Sequence, residues 1–274
     1  MTKIKLALCQ INVIDDKDAN LENARLMINK ASQKSDFIVL PEMFNCPYSN
    51  DKFIEYCEEE KGSYTLDKIS SLAFKNNVYI LAGSIPEKED DKLFNTSYLF
   101  DRQGKIIAKH RKMHLFDIDV KDKITFKESD VLTAGNEFTI ADTEFGKVGI
   151  GICYDIRFPE LARIMTENGA LILFYPGAFN MTTGPAHWQL LFRSRALDNQ
   201  VYCVGVAPAL NKDASYHSYG HSIVTSPWGE VLAEAGQKEE TIFCEIDLSE
   251  IKKVREELPL LKNKREDLYK VIEK

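Results

Sequence analysis

Apolar residues along this chain come in short unbroken runs, separated by stretches in which they recur at helical spacing. Lys3 to Cys9 (KIKLALC) reads as a strand, and Asn20 to Ala31 then places Leu21, Ala24, Ile28 and Ala31 on one helical face. The run Phe37 to Leu40 is short, unalternating and closed by Pro41, as expected of a strand covered on both faces. A helical stretch around Leu66 to Lys75 precedes the run Val78 to Ala82, and Asn95 to Phe100 follows a charged turn. The second half repeats this order. Val148 to Ile152 leads into a helix from Phe158-Pro159 to Gly169, Leu171 to Tyr175 into another, and Val201 to Val206 opens a further set of strands. Strands alternating with helices predict a layered α/β fold, with ligands beyond the carboxyl ends of the strands. The segments ending at Glu42 and at Pro176 look like equivalent strand ends of two related halves.

Composition narrows the class. A chain of 274 residues, 44% hydrophobic, buries roughly three quarters of its unfolded surface and needs no staple. No Pro/Gly/Ser-rich linker divides it, so residues 1–274 read as a single domain. The net charge of -7 is spread along the chain and leaves no basic stripe for nucleic acid. No secretory leader and no membrane-length apolar run is present, which predicts a cytoplasmic protein free of the membrane. The six cysteines show no tight pairing and are expected as thiols.

One cysteine stands out by position. Cys153 directly follows the strand run ending at Ile152 and precedes a helix, where the positive end of a helix dipole would favour thiolate; a buried structural cysteine is the competing reading. Cys9, Cys203 and Cys244 lie inside strand runs and read as structural. A thiol with a pKa of ~8.5 needs a base or a cation beside it to be an efficient nucleophile. Glu42 ends an apolar run at a strand terminus, where partial burial would raise its pKa into the range useful to a base. Lys112, in His110-Arg111-Lys112-Met113-His114, reads by itself as part of an exposed basic loop after a strand over 105–108, yet its ammonium could stabilise an oxyanion, with Glu128 orienting it. A papain-type pair, with His114 or His187 as base, remains open at this point. The chain carries no GxSxG, HExxH, P-loop or GxGxxG at a strand-to-helix turn.

Three segments in fixed order carry a resemblance. Leu40-Pro41-Glu42, the run Arg111 to Phe116 and the run Gly151 to Glu160 resemble the glutamate, lysine and cysteine motifs of the nitrilase superfamily of carbon-nitrogen hydrolases. Segments 114–120, 175–188 and 220–230 resemble its omega-amidase branch. The resemblance covers nearly the whole chain and implies a four-layer αββα sandwich of two related halves, commonly a homodimer. It implies Glu42, Lys112, Cys153 and Glu128 as the catalytic set, with the Tyr154 backbone N–H beside Lys112 at the oxyanion and no metal or organic cofactor. The implied substrate is a small-molecule amide, a short dicarboxylate monoamide such as 2-oxoglutaramate or 2-oxosuccinamate, cleaved through a thioester; Tyr48, Phe179 and Thr183 are the residues expected to bind it. An N-carbamoyl-amino-acid amidohydrolase, another linear-amide hydrolase and a non-catalytic scaffold of the same fold are the alternatives. His110 is a departure, since similar proteins often carry tyrosine before the Arg-Lys pair, and Met181 in place of leucine is a milder one.

Overall fold

The computed structural model describes residues 3–122 and 124–273; Met1, Thr2 and Lys274, at the ends of the expected 1–274 domain, lie outside the described residues. The first half supplies strands β1 (Lys3–Gln10), β2 (Phe37–Val39), β3 (Glu58–Glu59), β4 (Tyr79–Leu81), β5 (Ile85–Glu89), β6 (Lys92–Phe100) and β7 (Ile106–Arg111), with helices α1 (Lys17–Ala31), α2 (Asn50–Tyr56) and α3 (Tyr64–Asn76). A hairpin of β8 (Asp117–Val120) and β9 (Ile124–Lys127) follows. The second half supplies β10 (Thr139–Thr143), β11 (Gly146–Ile150), β12 (Ile172–Pro176), β13 (Tyr202–Val206), β14 (Ile223–Thr225), β15 (Val231–Glu234) and β16 (Glu240–Asp247), with α4 (Pro159–Glu167), α5 (Gly184–Asn199) and α6 (Ser249–Glu257).

Two sheets result. One has the order β16-β1-β2-β4-β6-β5-β3 with β7 beside β6, and the other the order β10-β11-β12-β13-β14-β15. The strands the sequence marked as unalternating runs are the central ones, and their period of two explains the layering. Leu6, Leu8, Phe37 and Val39 face Val148, Ile150, Ile172, Phe174 and Val204 across the inter-sheet core. The Phe37 and Phe174 rings stack there with centroids 4.8 Å apart. The intervening residues Ala7, Cys9, Ile38 and Leu40 face α1 and α3, while Leu173, Tyr175 and Cys203 face α4 and α5. The four layers are helix, sheet, sheet, helix, the αββα sandwich that the resemblance implied.

Both helix faces follow from the sequence. Leu21, Ala24, Ile28 and Ala31 are the buried positions of α1, whose start is set by Asp16 accepting the Ala19 N–H at 3.0 Å. Pro159 opens α4 at its first turn. One expectation is corrected at β7, which runs to Arg111 and carries the chain into Lys112 still laddered on β6, the Lys112 N–H donating to the Asn95 carbonyl at 2.8 Å. Alternation then sends Lys109 and Arg111 outward to Glu87 and turns His110 and Lys112 inward, where both are fully buried. The basic segment is therefore half surface and half interior. Gly149 and Gly151 make room for side chains of the core: a Cβ at Gly149 would lie 2.7 Å from Leu173, and one at Gly151 2.5 Å from the Tyr175 ring.

Candidate active site

Glu42 sits just beyond β2, on a turn that only one neighbour permits. The turn at residues 82–84 after β4 lies against it: Ser84 N–H donates to the Pro41 carbonyl and the Met43 N–H donates to Ser84 Oγ. Gly83 makes the approach possible, since a Cβ there would fall 1.9 Å from the Pro41 carbonyl oxygen and its φ is +32°. Met43 takes a φ of +51°, which turns the chain away and leaves the Glu42 carboxylate pointing at the inter-sheet boundary.

That carboxylate is fully buried and saturated with donors. Oε1 accepts from Lys112 Nζ at 3.0 Å and Asn95 Nδ2 at 2.8 Å, and Oε2 accepts the Ala178 backbone N–H at 2.7 Å. Lys112 Nζ also donates to Glu128 Oε1 at 2.8 Å. Glu128, at the start of the short turn after β9, is fixed in turn by the Phe116 N–H on Oε2 and by the Tyr48 hydroxyl on Oε1, both at 2.6 Å. Burial raises the Glu42 pKa and Glu128 adds to the rise, against the opposing pull of Lys112. Burial alone would neutralise Lys112, but the Glu128 and Glu42 carboxylates outweigh it and its pKa is raised, so it stays an ammonium.

Cys153 comes from the other sheet, three residues past the end of β11, and opens a short 3-10 turn over Cys153–Arg157. Its φ is +47°, a left-handed value unusual for a residue with a Cβ. Gly177, beyond β12, leaves space for it: a Cβ there would be 3.1 Å from the Cys153 Cα. Glu42, Lys112 and Glu128 all act on the thiol, and the Ala178 N–H bonds it as well as Glu42. The expectation of a thiolate favoured by the helix dipole is not met. Helix α4 starts only at Pro159, on the far side of the 3-10 turn, and burial followed by Glu42 pushes the thiol well above its ordinary range. The resting sulfur is a thiol beside a base.

His114 and His187 are placed otherwise than a papain-type base requires. His114 Nδ1 faces Asp155 at 2.7 Å and its ring stacks on Phe158 at 3.6 Å; His187 Nδ1 accepts from Arg157 at 3.2 Å. Phe179 is buried against Trp188 and under the Arg157 guanidinium, 4.7 Å from its ring centre. Thr183 precedes α5, with its hydroxyl turned to Asn180 Oδ1 at 3.3 Å. The sequence reading quoted Arg157 within the cysteine motif but gave it no part. In the structure it lies between Tyr154 and Phe179, with no carboxylate partner among the described residues and with its Nε buried and unpaired. A lone basic residue between Ile156 and Phe158 was the available signal. Among the described residues no group of three or more His, Cys, Asp or Glu side chains is arranged to hold a metal ion.

A carboxylate and an ammonium from one sheet, with a second carboxylate from the turn after the β8–β9 hairpin, thus meet a cysteine from the other sheet. The profile of the carbon-nitrogen hydrolases matches residues 5–256. The chain belongs to the carbon-nitrogen hydrolase family. It is 49% identical to omega-amidase NIT2 of Xenopus tropicalis over 275 residues, spanning 100% of this chain and 99% of that one. To omega-amidase NIT2 of Homo sapiens it is 48% identical over 272 residues, 99% and 98% of the two chains. The crystal structure of Saccharomyces cerevisiae Nit3, a member of branch 10 of the nitrilase superfamily, superposes with a TM-score of 0.89 at 45% identity, covering 96% of this chain and 97% of that one. The layered α/β fold expected from the strand pattern, and the αββα sandwich implied by the resemblance, are therefore shared with that structure over 96% of this chain.

Proposed function

We propose that the chain is an omega-amidase that hydrolyses the terminal amide of a short dicarboxylate monoamide, with Cys153 as nucleophile. The observation that carries this reading is the pairing of a buried base and ammonium, Glu42 and Lys112, with a guanidinium, Arg157, that has no carboxylate partner among the described residues and lies beside Tyr154, the neighbour of Cys153. Glu42, Glu128 and Lys112 together hold a net charge of -1 when both acids are ionised, so a substrate bearing a carboxylate at its far end needs a further cation. Arg157 supplies it, and two parallel N–H donors suit a carboxylate. Phe179 backs the guanidinium, and Thr183 is assigned to the same end because its carbonyl accepts the N–H of His187, the residue bonded to Arg157. Tyr48 gives its single proton to Glu128, which makes it a support for the acid rather than a donor to substrate.

The reaction runs in two halves. Glu42 takes the Cys153 proton as sulfur attacks the amide carbonyl carbon, and Lys112 with the Tyr154 backbone N–H stabilises the oxyanion. On collapse the C–N bond breaks and Glu42 returns the proton to the departing nitrogen, releasing ammonia and leaving a thioester. Glu42 then deprotonates water for attack on the thioester, the acid leaves, and the sulfur is reprotonated. Glu128 keeps Lys112 in place throughout.

Ammonia release from 2-oxoglutaramate, N-carbamoyl-β-alanine and a simple nitrile, measured in parallel, tests the substrate class. Release from the first alone is expected; release chiefly from the second would make the chain a carbamoyl amidohydrolase, and release from none a scaffold. Arg157→Gln sharpens the assay: wild type should prefer glutaramate to butanamide by roughly tenfold to a hundredfold, the worth of a charge-assisted bond, and the variant should lose that preference.

The same reading treats residues 1–274 as one domain of a cytoplasmic homodimer. Among the described residues no helix is long and apolar enough to cross a membrane, and support for the homodimer comes from exposed Leu190, Leu197, Trp228 and Leu232 on α5 and the adjoining β14–β15 region. Arg193 Nε donates to the Gly229 carbonyl at 2.8 Å and ties those pieces into one face. Light scattering at micromolar concentration should give twice the chain mass.

A further inference from the structure

Cys153 and Lys112 reach the centre from different sheets, and one buried carboxylate is bonded to both segments that carry them. Asp155 is fully buried, and each of its oxygens has two donors. Oδ1 accepts the His114 backbone N–H at 3.0 Å and faces His114 Nδ1 at 2.7 Å. Oδ2 accepts the Ile152 backbone N–H at 2.9 Å and faces His110 Nε2 at 3.1 Å. Burial by itself would raise this acid, but the His110 and His114 hydrogen bonds outweigh it and hold it well below the ordinary carboxylate range. An ionised carboxylate only accepts, so both facing ring nitrogens donate. His110, fully buried, is fixed from behind as well: its Nδ1 lies 3.0 Å from Thr139 Oγ1, which bonds the Lys109 carbonyl at 3.2 Å.

We infer that Asp155 is the positioning residue of the reaction centre, and that His110 orients Asp155. The four donors belong to the segments that carry the reacting groups. Ile152 immediately precedes Cys153, and the Asp155 N–H donates back to the Ile152 carbonyl at 3.0 Å, so the left-handed turn at the nucleophile is clasped on both sides. His114 follows Lys112 by two residues, so the same carboxylate sets where the ammonium segment lies. Nothing about Asp155 requires contact with substrate. Its effect is on the distance and angle between sulfur, Glu42 and Lys112, where a shift of about 1 Å is worth roughly a hundredfold in rate. An amide in its place has one acceptor oxygen for four donors.

The inference rests on Cys153 being the nucleophile, so Cys153→Ala is carried alongside: turnover in that variant would defeat the functional reading, whereas its silence leaves the present question open to the other variants. His110→Phe, which removes the donor to Asp155, should lower kcat about tenfold with KM within twofold of wild type. The rate of Cys153 alkylation by iodoacetamide, followed on the Cys153 peptide, should fall in parallel. Asp155→Asn should lower both about a hundredfold. His110→Gln, whose amide reaches the place of the imidazole Nε2, should recover at least half of the His110→Phe loss. A merely structural residue would lower Tm and leave kcat and alkylation of the folded fraction unchanged; values within twofold of wild type in His110→Phe overturn the inference. Should that variant fail to fold, Thr139→Val decides, since it removes only the hydroxyl behind the ring: a fall of twofold or more in kcat and alkylation at unchanged KM supports the assignment, and a smaller change overturns it.

Discussion

The two strand ends that build the centre solve the same placement problem by different means. On the β2 side the functional atom is held by hydrogen bonds: Glu42 has three donors within 3.0 Å, and its ammonium partner is held by a second carboxylate with two further donors of its own. On the β11 side the functional atom is held by backbone shape: Cys153 takes a left-handed φ in a tight turn, with Gly177 leaving room beside it. Charged groups in a dry site are costly unless every lone pair and proton is matched. A neutral thiol carries no such cost, so the bonds that fix it go to the backbone of its turn, where Asp155 accepts the Ile152 N–H, rather than to the sulfur itself.

Substitutions at each end test that contrast. The largest effect is expected from Cys153→Ala, which should lower kcat by roughly 10⁴-fold or more while leaving Tm within a few degrees, because a small buried side chain without charge is lost. Glu42→Gln should follow, costing about 10²- to 10⁴-fold as general acid–base catalysis is removed, and should also lower Tm, since Lys112 loses one of its two carboxylates in a dry site. If Cys153→Ala destabilised more than Glu42→Gln in thermal unfolding, the contrast would be wrong. A third test is pH. In the proposed mechanism Glu42 must be ionised to act as the base, and its pKa is raised by burial. Activity should therefore fall, as pH is lowered, at a midpoint above the ordinary glutamate value of about 4.3, and this acid limb should vanish from the residual activity of Glu42→Gln. The smallest effect on chemistry and a clear one on stability is expected from Gly83→Ala. Its Cβ would collide with the Pro41 carbonyl in a positive-φ turn, costing about 2 kcal/mol or more, measurable by denaturant unfolding.

The same contrast explains what could be read in the sequence. Unalternating runs at Phe37 to Leu40 and Leu171 to Tyr175 announced central strands, because burial on both faces leaves no polar positions. Glu42, Lys112 and Cys153 were legible as motifs in order. The burial of Lys112 was not, since a run of basic residues looks alike whether it is a loop or the last turn-in of a strand whose alternate side chains point opposite ways. The suppressed thiolate at Cys153 was also beyond reach, because it depends on how many residues separate the turn from α4 and on a carboxylate more than a hundred positions earlier in the chain. Arg157 stands inside the cysteine motif, yet its lack of a carboxylate partner among the described residues is a property of space. The short strands β3, β8 and β9 carry too few residues for a period to show.

The Phe37–Phe174 stack and its neighbours close the boundary between the sheets, and that boundary is also where the acid meets the sulfur. Catalytic competence is consequently a late event in the life of each chain. Either sheet could acquire its strands during refolding without producing a reactive cysteine, because the base and the ammonium are delivered only when the halves dock. Recovery of turnover after dilution from denaturant should lag behind recovery of secondary structure, and its rate reports the docking step. Ammonia release then becomes a clock for tertiary assembly as well as a measure of chemistry.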